Sequence, residues 1–400
     1  MMELNSKHQF IVNKEMILYY CLIIFENILK IFWVFKIKKN SILFMSYDGE
    51  QFSCNPRFIY ENMIADKKHR FNYIWILSDD VKKQHSFEKG TIIVKPYSLK
   101  YFYYITTSKI IISNNGIKTF IPIRKSQYYI ETWHGGGAYK KTGIDVNKSK
   151  YEIKKIRKLS EKTSYFLASS SKVKNTKSKA HLLDENKFLC FGTPRNDLFF
   201  KECESLKKQI KKKLGISSEN RILLYAPTFR NKKGGGLDEK RYEILDIDNL
   251  INMLEKKWNC KWVILYRAHH TIKNNHIFND KVINVNDFED MQYLLLISDI
   301  LISDYSSSMW DFSFTGRPCF VYAPDLKEYK NERDFYTPIE DWPYPISENN
   351  DELRKKIQKF DFDCYTQSVT KHHKIQGSFE RGDSTEKIVN FVINLIKGEG

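Results

Sequence analysis

The sequence predicts an α/β protein of two Rossmann-like lobes that face each other across a cleft, preceded by an apolar N-terminal helix. Short apolar runs alternate with helical stretches, which is the mark of a parallel sheet covered by helices. That alternation occurs twice, in two series separated by a Lys-rich stretch. The length, 400 residues, exceeds one small core and suits two domains of ordinary size. A hydrophobic fraction of 42% and an aromatic fraction of 14% supply packed interiors and speak against wholesale disorder.

The chain opens with residues 1–40, which read as a membrane-associating helix. Residues 16–37 are mostly apolar, and Lys36, Lys38 and Lys39 crowd the end of the run. The run starts too far in, and lacks the small-residue cleavage site, for a secretory signal. Glu26, Asn27 and Lys30 are costly at a bilayer centre, and Glu26 and Lys30 are spaced to pair on one helix face. An interfacial or peripheral helix and a plain buried helix both fit; a span is the weakest option, although the length permits one.

The first lobe is expected over residues 41–205. Residues 41–47 (SILFMSY) end at Asp48-Gly49 and read as a buried strand followed by a turn. Further strands are expected over 73–77, 91–94, 109–113, 127–132 and 165–169, with helices such as 57–68 and 99–106 between them. The Lys-rich helical stretch 206–214 marks the crossing, near residues 200–215. The second lobe is expected over 206–400, with strands over 222–225, 262–266, 282–284, 300–303 and 319–322 and helices over 248–257 and 291–297. The glycines at 234–236 predict a mobile loop.

The formal charge of +17 favours anionic partners: nucleic acid, anionic lipid headgroups or phosphate-rich substrates. A Lys-rich surface that only aids solubility fits as well. The seven cysteines are scattered, with no CxxC pair and no metal-ligand spacing, which suits a reducing compartment.

Ligands of open α/β sheets bind beyond the carboxyl ends of the strands, so the residues there carry the functional reading. After 127–132 come Trp133-His134 and three glycines. An imidazole there can take a proton from an attacking hydroxyl, and the glycines let backbone approach a phosphate; a glycine-rich turn with an incidental His is the bland alternative. After 262–266 come Arg267 and His269, a planar fork suited to phosphate and a second imidazole. After 300–303 come Asp304, Tyr305, Ser306, Ser307 and Ser308, then a helical run from about Met309. These serines can cap that helix or receive an anion at its free N–H groups. Thr228 and Arg230 follow 222–225. Arg195 and Asp197 follow the apolar run 188–191 and either face the cleft or pair with each other. No strand end carries a carboxylate cluster suited to a divalent ion, so no metal and no other cofactor is expected. There is no P-loop, no GxGxxG and no GxSxG, which disfavours ATP hydrolysis, dinucleotide redox chemistry and a serine nucleophile elbow.

Five motifs in order carry a family resemblance: Glu131 to Gly135, Gly192 to Asp197, Ala226 to Arg230, Arg267 to His269, and Ser298 to Ser307 with its extension through Asp311 and Thr315 to Pro318. Together they resemble the CDP-glycerol glycerophosphotransferase family, which builds teichoic acids and related capsule polymers. The resemblance runs from about Ser41 to the C-terminal helix. It implies the two-lobed GT-B fold, with an acceptor-side first lobe and a donor-binding second lobe. It also implies a peripheral site on the cytoplasmic face of the membrane, against an anionic surface. The implied donor is CDP-glycerol or another CDP-alditol, and the implied acceptor is lipid-linked or polymeric. His134 is then the general base and His269 a second essential histidine. Asp304, Ser306 and Ser307 would hold the pyrophosphate with Thr228, Arg230 and Arg267, while Gly135, Gly136, Arg195 and Asp197 support the cleft. The chain departs from the family in carrying Gly136-Gly137 where Thr-Pro is common, Ala268 between Arg267 and His269 where Pro is usual, and Gly382-Asp383 in reversed order. A glycosyltransferase using a UDP- or GDP-sugar is the competing enzyme reading. A basic nucleic-acid or envelope-binding protein is the non-enzymatic one, although no nucleic-acid motif is present and no nucleic-acid partner is expected.

Overall fold

The computed structural model describes residues 2–66, 68–146, 149–228, 244–267 and 281–398. Arg230, His269 and the expected loop at 234–236 lie outside the described residues.

Two parallel sheets form the frame. The first contains β1 (Lys38–Met45), β2 (Asn72–Ile76), β3 (Ile92–Val94), β4 (Ser108–Ser113), β5 (Tyr128–Glu131), β6 (Tyr165–Leu167) and β7 (Phe188–Leu189), in the order β3-β2-β1-β4-β5-β6-β7. The second contains β8 (Arg221–Ala226), β9 (Trp262–Tyr266), β10 (Val282–Asn284), β11 (Ile300–Ser303), β12 (Cys319–Tyr322) and β13 (Ile346–Ser347), in the order β10-β9-β8-β11-β12-β13. Each sheet grows outward from its first strand in both directions, so each has a switch point, between β1 and β4 and between β8 and β11. A crevice opens beyond the strand ends at such a point. The registers align those ends: Met45 pairs with Ser113 and Ser113 with Glu131, and Ser303 pairs with Ala226.

The strands are buried on both faces, as parallel strands covered by helices must be. Ile42, Phe44, Ile110, Ile112 and Ile130 point to one side of the first sheet, against Ile388, Val389, Val392 and Ile393. Those last residues belong to the C-terminal helix Ser384–Lys397. Its packing corrects the expected assignment of residues 206–400 to the second lobe: the final helix returns to the first. Asp197 fixes that return, accepting from the N–H groups of Ser384 at 3.1 Å and Thr385 at 2.7 Å. The second core holds Leu224, Leu265, Leu301, Tyr305, Trp310 and Val321, and Leu198 and Phe199 already pack against it.

The N-terminal helix Met2–Leu29 continues as a 3-10 turn over Lys30–Val34. The expected Glu26–Lys30 pair does not form. Glu26 is buried and pairs with Lys158 and, at 2.7 Å, with Lys162, both on helix Lys150–Lys162. Lys30 Nζ donates to Asn27 Oδ1 at 2.7 Å instead. A buried carboxylate is stabilised by close cations, and two from a neighbouring basic helix outweigh one exposed lysine on its own helix.

Candidate active site

The turn after β5 is backbone under constraint. Trp133 has φ 54°, a left-handed conformation that costs a bulky residue roughly 1–3 kcal/mol. Side chains hold it there. Trp133 N–H donates to Glu131 Oε1 at 2.8 Å, and the amide of Asn55, fully buried, donates to the carbonyls of Thr132 at 3.0 Å and Trp133 at 2.9 Å. Tyr47, Asp48 and Cys54, at the facing end of β1 and the start of the following helix, also have positive φ. Strain of this kind, concentrated at strand ends on one side of a cleft, is where functional groups gather.

The turn delivers His134. Its Nδ1 lies 2.7 Å from the carbonyl oxygen of Asn114, which accepts only if that nitrogen carries the proton. Nε2 then keeps its lone pair. Burial lowers the imidazole pKa to about 4; the Asn114 contact opposes this, and the smaller effects of the Arg195, Lys177 and Lys140 charges reinforce it. His134 is therefore a neutral acceptor at pH 7, in the tautomer a general base requires.

The second lobe meets this turn directly. A Cβ placed on Gly136 would lie 2.0 Å from Trp310 Cδ1, and one on Gly135 would lie 3.1 Å from Ser307 Oγ. Only glycines allow the lobes to approach this closely. The structure thus brings His134, Gly135, Gly136 and Ser307 together. Ser306 Oγ accepts from Ser308 N–H at 3.2 Å and from Ser308 Oγ at 2.9 Å, so part of the serine run is a local turn leading into the six-residue helix Ser308–Ser313. Thr228 N–H donates to both oxygens of Asp304 at 3.0 Å, and Tyr305 N–H donates to Oδ1. Asp304 accordingly ties the end of β8 to the end of β11. A carboxylate would repel a pyrophosphate, and these bonds hold the Thr228 and Tyr305 backbone.

Arg267 Nη1 donates to the carbonyls of Phe288 at 2.8 Å and Val285 at 3.3 Å, which anchors the guanidinium at the mouth of β9. Arg195 is buried, and it pairs with Asp311 rather than Asp197: Nε donates to Oδ2 at 3.0 Å and Nη2 to Oδ1 at 3.2 Å. Asn196 Nδ2 joins at 3.0 Å, and Gln292 bridges Asn196 and Asp311. This network locks the lobes at the floor of the cleft. Among the described residues, three cleft carboxylates are taken up by protein donors: Asp304 as above, Asp290 by Cys54 N–H and Gln292 N–H, and Asp311 by Arg195. Among the described residues no cluster of metal-ligating side chains is present.

Asn55, Asn114, Tyr47 and Asp290 are site residues that strand-end reading of the sequence missed. Asn114 follows β4 immediately, so the rule that singled out His134 and Asp304 would have found it. Tyr47, just past β1, was open to the same rule, whereas Asn55 and Asp290 reach the site through contacts distant in sequence.

Two parallel-sheet lobes with facing switch points, a neutral histidine on one side and a serine turn on the other, define a transferase cleft of the GT-B type. The family of CDP-glycerol:poly(glycerophosphate) glycerophosphotransferases matches residues 27–394, and the chain belongs to it. It is 29% identical to a teichoic acid poly(glycerol phosphate) polymerase of Bacillus spizizenii, covering 92% of this chain and 95% of that protein. A teichoic acid glycerol-phosphate transferase of Staphylococcus aureus is 29% identical over 88% of this chain and 92% of its own length. The chain spans about half of two longer polymerases, 49% of one from Bacillus subtilis and 46% of one from Staphylococcus epidermidis. Among solved structures, the wall teichoic acid polymerase TagF superposes with a TM-score of 0.82 at 24% identity, covering 97% of this chain and 98% of that one. A UDP-GlcNAc 2-epimerase of Neisseria meningitidis shares the fold more distantly, with a TM-score of 0.55 at 13% identity, covering 88% of this chain and 100% of its own.

Proposed function

We propose that the chain transfers glycerol phosphate, or a related alditol phosphate, from a CDP-linked donor to a hydroxyl of a teichoic-acid-like or capsular acceptor, releasing CMP. The observation that carries this is His134, neutral and tautomerically fixed, beside Gly135, the residue that abuts Ser307 of the second lobe. The acceptor hydroxyl attacks the alditol-bearing phosphorus while its proton passes to His134 Nε2. The new P–O bond forms as the bond to the bridging oxygen breaks, and CMP departs with that electron pair. Phosphoryl transfer of this kind depends on positioning and on charge stabilisation. Ser306, Ser307, Thr228 and Arg267 are placed for the pyrophosphate in this reading, with Arg230 and His269 assigned to it by family resemblance. The engaged carboxylates support transfer without a divalent ion.

Thermal shift against CDP-glycerol, CDP-ribitol, CMP and several UDP- and GDP-sugars, with and without EDTA, tests the donor class. Stabilisation by CMP and a CDP-alditol that EDTA does not alter is expected. Stabilisation by UDP- or GDP-sugars alone would replace this reading with the glycosyltransferase one.

The N-terminal helix is assigned to an anionic bilayer surface on the cytoplasmic face. Residues Lys14–Val34 have a mean hydropathy of 1.8, and Ile24, Ile31 and Val34 are 60%, 72% and 78% exposed. The opposite face touches the first lobe between Tyr19, against Tyr151, and Phe32, against Phe102. A helix held sideways along about 20 Å lies in the interface and does not cross it. The adjoining helix Lys150–Lys162 supplies lysines for lipid phosphates. All seven cysteines are free, in keeping with a reducing compartment. Flotation with anionic vesicles should retain the wild type and lose an Ile24→Glu, Ile28→Glu variant; equal flotation of both would remove this helix from the account.

A further inference from the structure

The indole of Trp133 connects His134 to a buried cation. The imidazole stacks on it with ring centroids 4.8 Å apart and planes inclined by 27°. The Lys177 ammonium lies over the same indole, 3.9 Å from the ring centroid. Lys177 is 3% exposed, and lysine is seldom this deeply buried unless its charge is used. Its Nζ donates to Thr142 Oγ1 at 2.8 Å. His181 meets the indole edge-on at 5.3 Å and shares the same hydroxyl, with Nε2 3.2 Å from Thr142 Oγ1. The backbone of Trp133 is clamped from both sides by Glu131 and Asn55. The indole is therefore a fixed platform with a cation on it, and the imidazole of the reacting histidine rests against that platform.

We propose that Lys177 is a positioning residue for the transfer, acting on His134 through the Trp133 ring: its ammonium pins the indole by a cation–π contact, sets the plane of the imidazole, and opposes a second positive charge there. This rests on the proposed role of His134 as the base. Lys177 lies on helix Ser171–Ala180, remote in sequence from every motif of the cleft. Other charged or titratable groups face His134 as well. Arg195 and Lys140 also disfavour its protonation, the Asn114 carbonyl favours it, and Tyr47 lies 5.7 Å away by ring centroids. Glu131, behind Trp133, is a buried carboxyl pushed up to about 7 by burial, so its negative charge is only partly developed at neutrality. The three cations act together, and Lys177 is the one that also fixes the ring.

The test uses the full chain. His134 is followed by histidine-labelled NMR without substrate, with His134→Ala to assign its signal, and CMP release is measured in parallel. Lys177→Met and Lys177→Gln should raise the His134 midpoint by roughly one pH unit, while Lys177→Arg stays near the wild type. The rate of CMP release should fall by roughly tenfold in the Met and Gln variants and recover in the Arg variant. Gln keeps a hydrogen-bond donor, so it serves if Met does not fold. Unmoved midpoints in Met and Gln, or an Arg variant displaced as far as Met, would overturn the proposal. A wild type that releases no CMP from any donor would defeat the functional reading, while the titration would still decide the role of Lys177.

Discussion

The two lobes repeat one strand order but finish their strands differently. At the end of the first sheet the backbone turns left-handed at Tyr47, Asp48 and Trp133, buried side chains hold the Trp133 turn, and the outcome is one imidazole in a defined tautomer. At the end of the second, Asp304 gathers backbone N–H groups and the turn carries serine hydroxyls, while Arg267 is anchored on the Val285 and Phe288 carbonyls past β9. In the proposed reaction, one side holds a base still and the other offers donors that suit an anion. Topology places both at switch points, and the loops decide the chemistry.

The sharpest way to break this contrast is at His134. Replacing it with Ala should lower turnover by roughly two to four orders of magnitude, measured as CMP release, with little change in the donor-induced thermal shift. A parallel loss of donor binding would show that the first lobe does not specialise in the base. Next is the joint between the lobes. Arg195→Ala leaves Asp311 buried without its cation and should cost roughly 3–5 kcal/mol in urea unfolding. Gly136→Ala drives a methyl into Trp310 and should both destabilise the chain by roughly 1–3 kcal/mol and reduce turnover. Wild-type activity in Gly136→Ala would show that the lobes need not approach as closely as described.

Much of this was legible in the sequence, because parallel strands buried on both faces read as apolar runs. The helix expected over 291–297 is Met291–Ile297 in the structure, and the strand expected over 262–266 is Trp262–Tyr266. His134, Ser307, Thr228 and Asp304 stood out as polar residues just past such runs. The two-residue strand β13 did not, being too short for any periodicity. The return of Ser384–Lys397 to the first lobe was hidden as well: its apolar stripe specifies burial but not against which sheet. Asn55, Asp290 and Lys177 act through partners far along the chain, and local pattern carries no record of such pairings.

Smaller effects sharpen the comparison. Asp304→Asn keeps one acceptor for Thr228 and Tyr305, so it should cost roughly 1–2 kcal/mol and raise the donor KM more than it lowers kcat. A kcat loss as deep as that of His134→Ala would place Asp304 in the chemistry itself. Stability should also respond to pH in two opposite senses. His134 is lowered from 6.5 to about 4, so an unfolded chain binds a proton there that the folded chain refuses, and stability is lost as pH falls from about 6.5 towards 4. Glu380, buried against Thr193, is raised from 4.5 to about 7, so its contribution is present below pH 4.5 and lost as pH rises through 7. Glu380→Gln should reduce the second limb, leaving the part due to Glu131, and spare the first limb in urea unfolding; an unchanged alkaline limb would mean that Glu380 ionises freely in the folded chain.

The central claim is that a neutral His134 takes the acceptor proton. The most direct measurement is the pH dependence of kcat/KM for CMP release from CDP-glycerol in the wild type and in His134→Ala, with EDTA present throughout. The account predicts a wild-type rate that holds as pH falls below 6 and declines only towards the depressed imidazole value near 4, and a variant in which turnover is low and that acid limb is gone. A variant that turns over like the wild type, or that keeps the same limb, would contradict it.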